Sequence, residues 1–216
     1  MAKNDIARIR QVLYAILHFF VRLCFRVLFR MRIVGEEYIP RNEPVIIVAN
    51  HTSNIDPVVM GVAAPQELNY MAKEELFRNT IFRWLIVAFR AFPVHRGTVD
   101  RKAISKALEI LSRCQPLLFF PEGTRGDGKN IRDAKPGTGL IIYKARAKVV
   151  PALIKGAEKI MPRNAKFIRF HKLEVYFGKP LDLEKFYEMA DCRGTYELIA
   201  TEITRSLRKL NENKTC

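Results

Sequence analysis

His51 and Asp56 stand five positions apart in Asn50-His51-Thr52-Ser53-Asn54-Ile55-Asp56-Pro57, and a histidine with a carboxylate in reach is the chemistry of a general base. In a continuous helix the facing pair is i and i+4, so this spacing does not join the two side chains by helical geometry. Pro57 changes that. It biases Asp56 away from helical torsions and suits the first position of a new helix. His51 is then expected on a strand-to-helix turn, with the Asp56 carboxylate folded back toward its ring. Such a pair fixes the imidazole tautomer and stabilises the imidazolium, as in a Ser-His-Asp triad without its serine. An alcohol is protonated at neutral pH, so its attack on an acyl carbonyl needs a base of this kind. The alternative is an N-cap aspartate beside an ordinary turn histidine.

A second group follows the apolar run Leu117-Leu118-Phe119-Phe120. Pro121-Glu122-Gly123-Thr124-Arg125-Gly126 places an acid, a hydroxyl and a guanidinium on a turn at the carboxyl end of a strand. Open α/β sheets bind ligands at that end. Arginine offers forked donors to a phosphate, and backbone N–H groups of a tight turn add to an anion site. A third segment, Phe92-Pro93-Val94-His95-Arg96-Gly97, again brings an arginine to a strand end.

Other polar residues point elsewhere. His51, His95 and His171 lack the short regular spacing of a metal motif, so no metal site is expected. No serine lies in G-x-S-x-G, and Ser53 is a poor candidate nucleophile. Cys24, Cys114, Cys192 and Cys216 form no C-x-x-C pair, which argues against a disulfide framework and fits a reducing compartment. His18 and His171 read as solvated surface residues.

The elements that must position these groups alternate. Strands are predicted at 44–49, 68–72, 91–94, 117–120, 149–154 and 173–177. Helices are predicted at 57–63, 79–89, 98–114, 137–147, 183–190 and 195–210. This alternation specifies an α/β fold with a mixed, largely parallel sheet flanked by helices. Ahead of it, residues 6–32 read as one basic amphipathic helix. Arg8, Arg22, Arg26 and Arg30 share a stripe with Gln11 and His18, and Leu13, Leu17, Phe20, Cys24, Val27 and Met31 lie opposite. Its longest charge-free run, Gln11 to Val21, is eleven residues, against roughly 20 for a bilayer span. The helix is expected to lie in a membrane interface with its arginines among lipid head groups. Packing of its apolar side on the domain is the competing reading. The chain thus divides into an amino-terminal membrane-association helix, 1–32, and a domain over 33–216.

Of the 216 residues, 37 are Lys or Arg against 22 Asp or Glu, a net charge of +15. That excess favours anionic partners without choosing among lipid, nucleic acid and phosphorylated substrates. Residues 1–32 alone carry seven basic residues and one acid. No helix-turn-helix, zinc-finger or RNP-like pattern is present, which argues against nucleic acid as the partner.

Taken in order, Asn50-His51-x4-Asp56, Phe92 to Arg96, Phe120-Pro121-Glu122-Gly123-Thr124-Arg125 and Val149-Val150-Pro151-Ala152 resemble the four blocks of the glycerolipid acyltransferases. The subgroup they resemble is the bacterial 1-acyl-sn-glycerol-3-phosphate acyltransferases. The resemblance spans roughly Pro44 to Gly156, and His95 departs from the acidic or other polar residue many relatives carry there. It implies His51 as general base and Asp56 as its orienter. It further implies that Arg96, with the Glu122, Gly123, Thr124 and Arg125 turn, holds the acceptor's glycerol phosphate. Lys135, in a Lys-x-Gly segment, is implied as a further phosphate contact, and Pro151 belongs to a substrate-binding block. The implied reaction moves an acyl group from acyl-CoA or acyl carrier protein to a lysophospholipid hydroxyl. It needs no cofactor and takes place at the cytoplasmic face of a membrane bearing anionic lipids. Alternatives are glycerol-3-phosphate or another lysolipid as acceptor, a thioester hydrolase using the same pair on water, and a basic nucleic-acid-binding protein.

Overall fold

The structure is a computed structural model that describes residues 2–78, 83, 90–95, 100–128, 130–162, 165 and 167–213, with side chains at 12 and from 14 onward. The strands are β1 (Arg32–Val34), β2 (Val45–Ala49), β3 (Asn69–Lys73), β4 (Ala91–Val94), β5 (Leu117–Phe119), β6 (Lys148–Lys155) and β7 (Glu174–Phe177). They form a seven-stranded sheet in the order β1-β7-β6-β2-β5-β3-β4. β6 and β7 pair antiparallel, and every other neighbouring pair is parallel. A mixed, largely parallel sheet is what the alternating pattern specified. The helices are α1 (Ala2–Leu28), α2 (Asp56–Ala63), α3 (Arg101–Ser112), α4 (Pro136–Ala145), α5 (Ala157–Ile160), α6 (Glu184–Tyr187) and α7 (Arg193–Glu212). The helix predicted at 79–89 lies, apart from residue 83, outside the described residues.

Central strand β2 is Val-Ile-Ile-Val-Ala and buried throughout, as a parallel strand covered on both faces must be. Successive side chains point to opposite faces. Val45, Ile47 and Ala49 accordingly pack with Val59 and Met60 of α2 and the end of α1. Ile46 and Val48 pack with Ala107 and Ile110 of α3, Ile142 of α4 and Ile199 and Ile203 of α7. On that second face α4 and α7 approach closely at Gly139, where a Cβ would lie 2.1 Å from the Tyr196 carbonyl oxygen. Only glycine fits there.

The amino-terminal segment differs from its expected form. The helix ends at Leu28, because Arg30 turns into the left-handed region at φ 46°. Phe29 and Met31 then plug into the core, and Arg32–Val34 joins the sheet beside β7. Within the arginine stripe His18 and Arg22 are docked and not solvated, whereas Arg26 and Arg30 are exposed. His18 Nε2 lies 3.1 Å from the Gly61 carbonyl oxygen on α2, and Arg22 pairs with Glu36 at 18% side-chain exposure. The apolar stripe faces outward instead, with Leu17 at 63%, Phe20 at 57% and Val27 at 68% exposure. Periodicity distinguishes the two faces of a helix, but which face docks depends on partners such as Glu36. No helix among the described residues is long and apolar enough to cross a membrane.

Candidate active site

β2 ends at Ala49, and the next residue is locked to the neighbouring strand. Asn50 donates from Nδ2 to the Ile154 carbonyl at 3.0 Å and accepts the Ile154 N–H on Oδ1 at 2.7 Å. The side-chain amide continues the β2–β6 ladder after the backbone has turned away, which fixes where His51 leaves the sheet.

The expected pairing forms. His51 Nδ1 lies 2.8 Å from Asp56 Oδ2, and that same oxygen accepts the N–H groups of Thr52 at 2.6 Å and Ser53 at 2.8 Å. Asp56 is fully buried and is itself the first residue of α2, one position before the start expected at Pro57, so the proline does not hold it out of the helix as expected. The carboxylate lies at the N-terminus of α2, the end of a helix that favours negative charge. An ionised carboxylate only accepts, so Nδ1 carries the proton and Nε2 is the ring's basic nitrogen. The Asp56 Oδ1 atom is buried with no protein partner among the described residues.

A second element fixes the plane of the ring. Phe120, the residue after β5, stacks on His51 with ring centroids 4.2 Å apart and planes 22° from parallel. The stack follows from the parallel β2–β5 register, Val48 opposite Phe119, which carries both chain ends to the same edge of the sheet.

Glu122 completes the junction of the two turns. It is 3% exposed and accepts the His51 N–H at 2.9 Å and, more weakly, the Arg132 N–H at 3.3 Å. In return Gly126 N–H donates to the His51 carbonyl at 2.7 Å. Burial pushes the Glu122 carboxyl up from its ordinary range, opposed by these backbone donors. Its side chain thus serves the peptide framework around His51.

The remaining expected residues are distributed around this junction. Gly123 turns at φ 72° with the Lys135 side chain passing 3.5 Å from where its Cβ would be, and Lys135 N–H donates to the Pro121 carbonyl at 2.8 Å. Lys135 is therefore brought to the 121–126 turn. Thr124 is exposed and accepts a long contact from Arg132 at 3.4 Å. Arg125 holds its Nη1 buried without a protein partner among the described residues. Arg96 lies outside the described residues. β4, which precedes it, is the sheet edge, three strand spacings from β2, or roughly 14 Å at about 4.8 Å per strand. His95 pairs with Glu74. Pro151 sits in β6 opposite Val48, buried in the sheet. Ser53 is buried and gives its hydroxyl to the Met161 carbonyl at 2.7 Å, a strut and not a nucleophile.

Phe120, Asn50 and the framework role of Glu122 were missed from sequence. The visible signal was position alone: Asn50 follows one apolar run and Phe120 ends another. No group of three or more His, Cys, Asp or Glu among the described residues is arranged to hold a metal ion.

This arrangement lies within a known family. A family model described as "Acyltransferase" matches residues 30–155. The chain is 32% identical, over 80% of its length, to 1-acyl-sn-glycerol-3-phosphate acyltransferase of Streptococcus pneumoniae, with 62% of that relative covered. It is 27% identical over 72% of its length to the enzyme of the same name from Bacillus subtilis, covering 76% of it. To lyso-ornithine lipid O-acyltransferase of Pseudomonas aeruginosa it is 35% identical over 76% of its length, covering 62% of that protein. The crystal structure of the 1-acyl-sn-glycerophosphate (LPA) acyltransferase PlsC from Thermotoga maritima shares the fold, with a TM-score of 0.72 at 24% identity over 95% of this chain and 82% of that one. The matched stretch runs from the last turn before β1 to the end of β6 and contains the His51, Phe120 and Glu122 junction, and the chain belongs to the acyltransferase family.

Proposed function

We propose that the protein transfers a fatty acyl group from an acyl-CoA or acyl carrier protein thioester to the sn-2 hydroxyl of 1-acyl-glycerol-3-phosphate, giving phosphatidic acid. His51 is the general base. As the acceptor oxygen bonds to the thioester carbonyl carbon, its proton passes to Nε2. Collapse of the tetrahedral adduct breaks the C–S bond, and the imidazolium returns that proton to the departing thiolate. Asp56 orients the ring and stabilises its charged form. Arg125, Lys135 and Arg96 hold the acceptor phosphate, and Gly123 and Thr124 shape the turn that presents them. The exposed apolar face of α1 rests in the cytoplasmic surface of an anionic membrane, where the acceptor resides and the donor arrives from water.

The observation that carries this reading is the Nδ1–Asp56 bond beneath a ring stacked on Phe120, which leaves Nε2 as the working nitrogen. The enclosed Nη1 of Arg125, without a protein partner among the described residues, supports a phosphate-bearing acceptor, because such an arginine donor suits an anion. The names of the Streptococcus and Bacillus relatives point to the same substrate. The test is one assay that crosses acyl-CoA and acyl carrier protein donors with lysophosphatidic acid, glycerol-3-phosphate and lyso-ornithine lipid acceptors. Transfer to lysophosphatidic acid, lost by roughly 10²–10⁴-fold or more in a folded His51→Ala protein, is the expected outcome. Fatty acid release without acceptor would make the protein a hydrolase, and near-normal activity of His51→Ala would remove the mechanism.

A further inference from the structure

Among the described residues, exposed large apolar side chains gather on α1 and in one further segment that is not a helix. Between α5 and β7 the chain makes a long loop in which Phe167, Ile168 and Phe170 are 81%, 54% and 73% exposed. Three large apolar residues within four positions, open to water, are unusual unless they meet something.

The same loop is basic. From the last turn of α5 through the loop, residues 159–172 contain Lys159, Arg163, Lys166, Arg169 and Lys172 and no Asp or Glu. Lys172 meets Glu174 at the start of β7, whereas Arg169 and Lys159 are exposed. Apolar prongs interleaved with cations match an anionic lipid surface, with rings among the acyl chains and cations at the phosphates.

The loop also continues the exposed side of α1. The Phe170 ring lies 5.9 Å from that of Phe29, which lies 5.0 Å from Phe25 on α1. Val27 and Leu28, beside this contact, are 68% and 51% exposed. At its root the loop is tied to the catalytic turn. Arg169 N–H donates to the Ile160 carbonyl at 2.8 Å, and Ser53 bonds the Met161 carbonyl two residues from His51.

We infer that Phe167, Ile168 and Phe170 are a second membrane-inserting element, specific for an anionic bilayer, which with α1 sets the height of His51 over the lipid surface. The inference rests on the proposed reaction only in taking a bilayer as the place of work. α1 alone fixes one line on the membrane and leaves the domain free to roll about it. A second contact, rooted at the Ser53 strut, removes that freedom and presents the His51 turn to a lipid hydroxyl.

The full-length protein and vesicles of phosphatidylcholine, with or without phosphatidylglycerol, provide the test. In Phe167→Trp, the emission relative to the parent protein, which holds Trp84, reports the loop. A blue shift and quenching by brominated acyl chains are expected on the anionic vesicles. A Phe167→Ser/Phe170→Ser protein should partition onto them roughly 10- to 100-fold more weakly. Its melting temperature and its turnover of a short-chain, water-soluble acceptor should match the parent's. Water-like, unquenched emission from position 167 on vesicles that still bind the protein overturns the inference and leaves α1 as the anchor. Self-association or DNA binding lost in the double-serine protein, with vesicle binding intact, overturns it equally. Because the emission does not depend on acyl transfer, an inactive protein that inserts counts against the reaction and not against the loop.

Discussion

Replacing Asp56 by asparagine separates charge from geometry at this site. The Oδ2 atom receives three donors, from His51 Nδ1, Thr52 N and Ser53 N, whereas Oδ1 is buried without a partner among the described residues. An asparagine can place its carbonyl oxygen at the Oδ2 position and keep all three bonds. The opposite orientation points an amide NH2 at two buried backbone donors, and an unsatisfied buried group costs about 1–3 kcal/mol each. The flip is therefore disfavoured by several kcal/mol, so the ring keeps its tautomer and orientation. What disappears is the negative charge that faces the imidazolium of the transition state. At about 4 Å between charge centres and an effective dielectric near 20, that attraction is about 4 kcal/mol as an upper figure. At 1.36 kcal/mol per decade, a loss of roughly 10²–10³ in kcat follows. The assay is kcat with a soluble short-chain acceptor, run beside thermal melting and beside Asp56→Ala, which leaves two backbone N–H groups unpaired and should melt well below the asparagine variant. Asp56→Asn with activity within about threefold of the parent would show that the charge is idle. A loss beyond about 10³-fold, together with melting as low as Asp56→Ala, would show that the amide has turned and the three-donor cage does not hold it.

Glu122→Gln should lower kcat more than it raises either KM, since the side chain holds the His51 peptide and not the substrate; a rise confined to the acceptor KM would restore Glu122 to the phosphate site. Its carboxyl is raised by burial above the ordinary 4.5, so its contribution to stability is fully present below that range and is withdrawn as pH rises through the folded value. The melting difference between parent and Glu122→Gln should accordingly narrow from pH 4 to pH 8 in a thermal titration. Arg125→Lys keeps the charge and loses the fork, so it should raise the acceptor KM with little change for the donor; an effect on the donor alone would reverse the two pockets. Gly139→Ala, with a Cβ 2.1 Å from the Tyr196 carbonyl, should cost about 1–3 kcal/mol in chemical denaturation by forcing α4 and α7 apart.

The pairing of His51 with Asp56 was legible because it is local: both groups lie within six residues of one turn. The sheet class was legible for a similar reason, since fully apolar runs such as Val45–Ala49 occur only where both faces are covered. The Phe120 stack and the Glu122 bonds were not, because they depend on β2 and β5 being neighbours, a fact of strand order that no local pattern records. At the amino terminus the amphipathic pattern named two faces, and a tertiary partner, Glu36, decided which one docks. The end of α1 carried no glycine or proline; a left-handed arginine at position 30 and a three-residue strand replaced the usual signals.

The hydrogen bonds exchanged between the two turns, His51 N–H to Glu122 and Gly126 N–H to the His51 carbonyl, have a practical consequence for anyone moving this chemistry elsewhere. Each turn is braced by the other, so a loop carrying only His51 to Asp56, grafted onto another α/β scaffold, transplants a histidine and an acid without the floor beneath them. A working transplant has to carry residues 50–56 and 120–126 together, on adjacent parallel strands in the Val48–Phe119 register. By the same reasoning the two turns should loosen as one unit, and the amides of His51 and Gly126 should exchange with deuterium at a common rate.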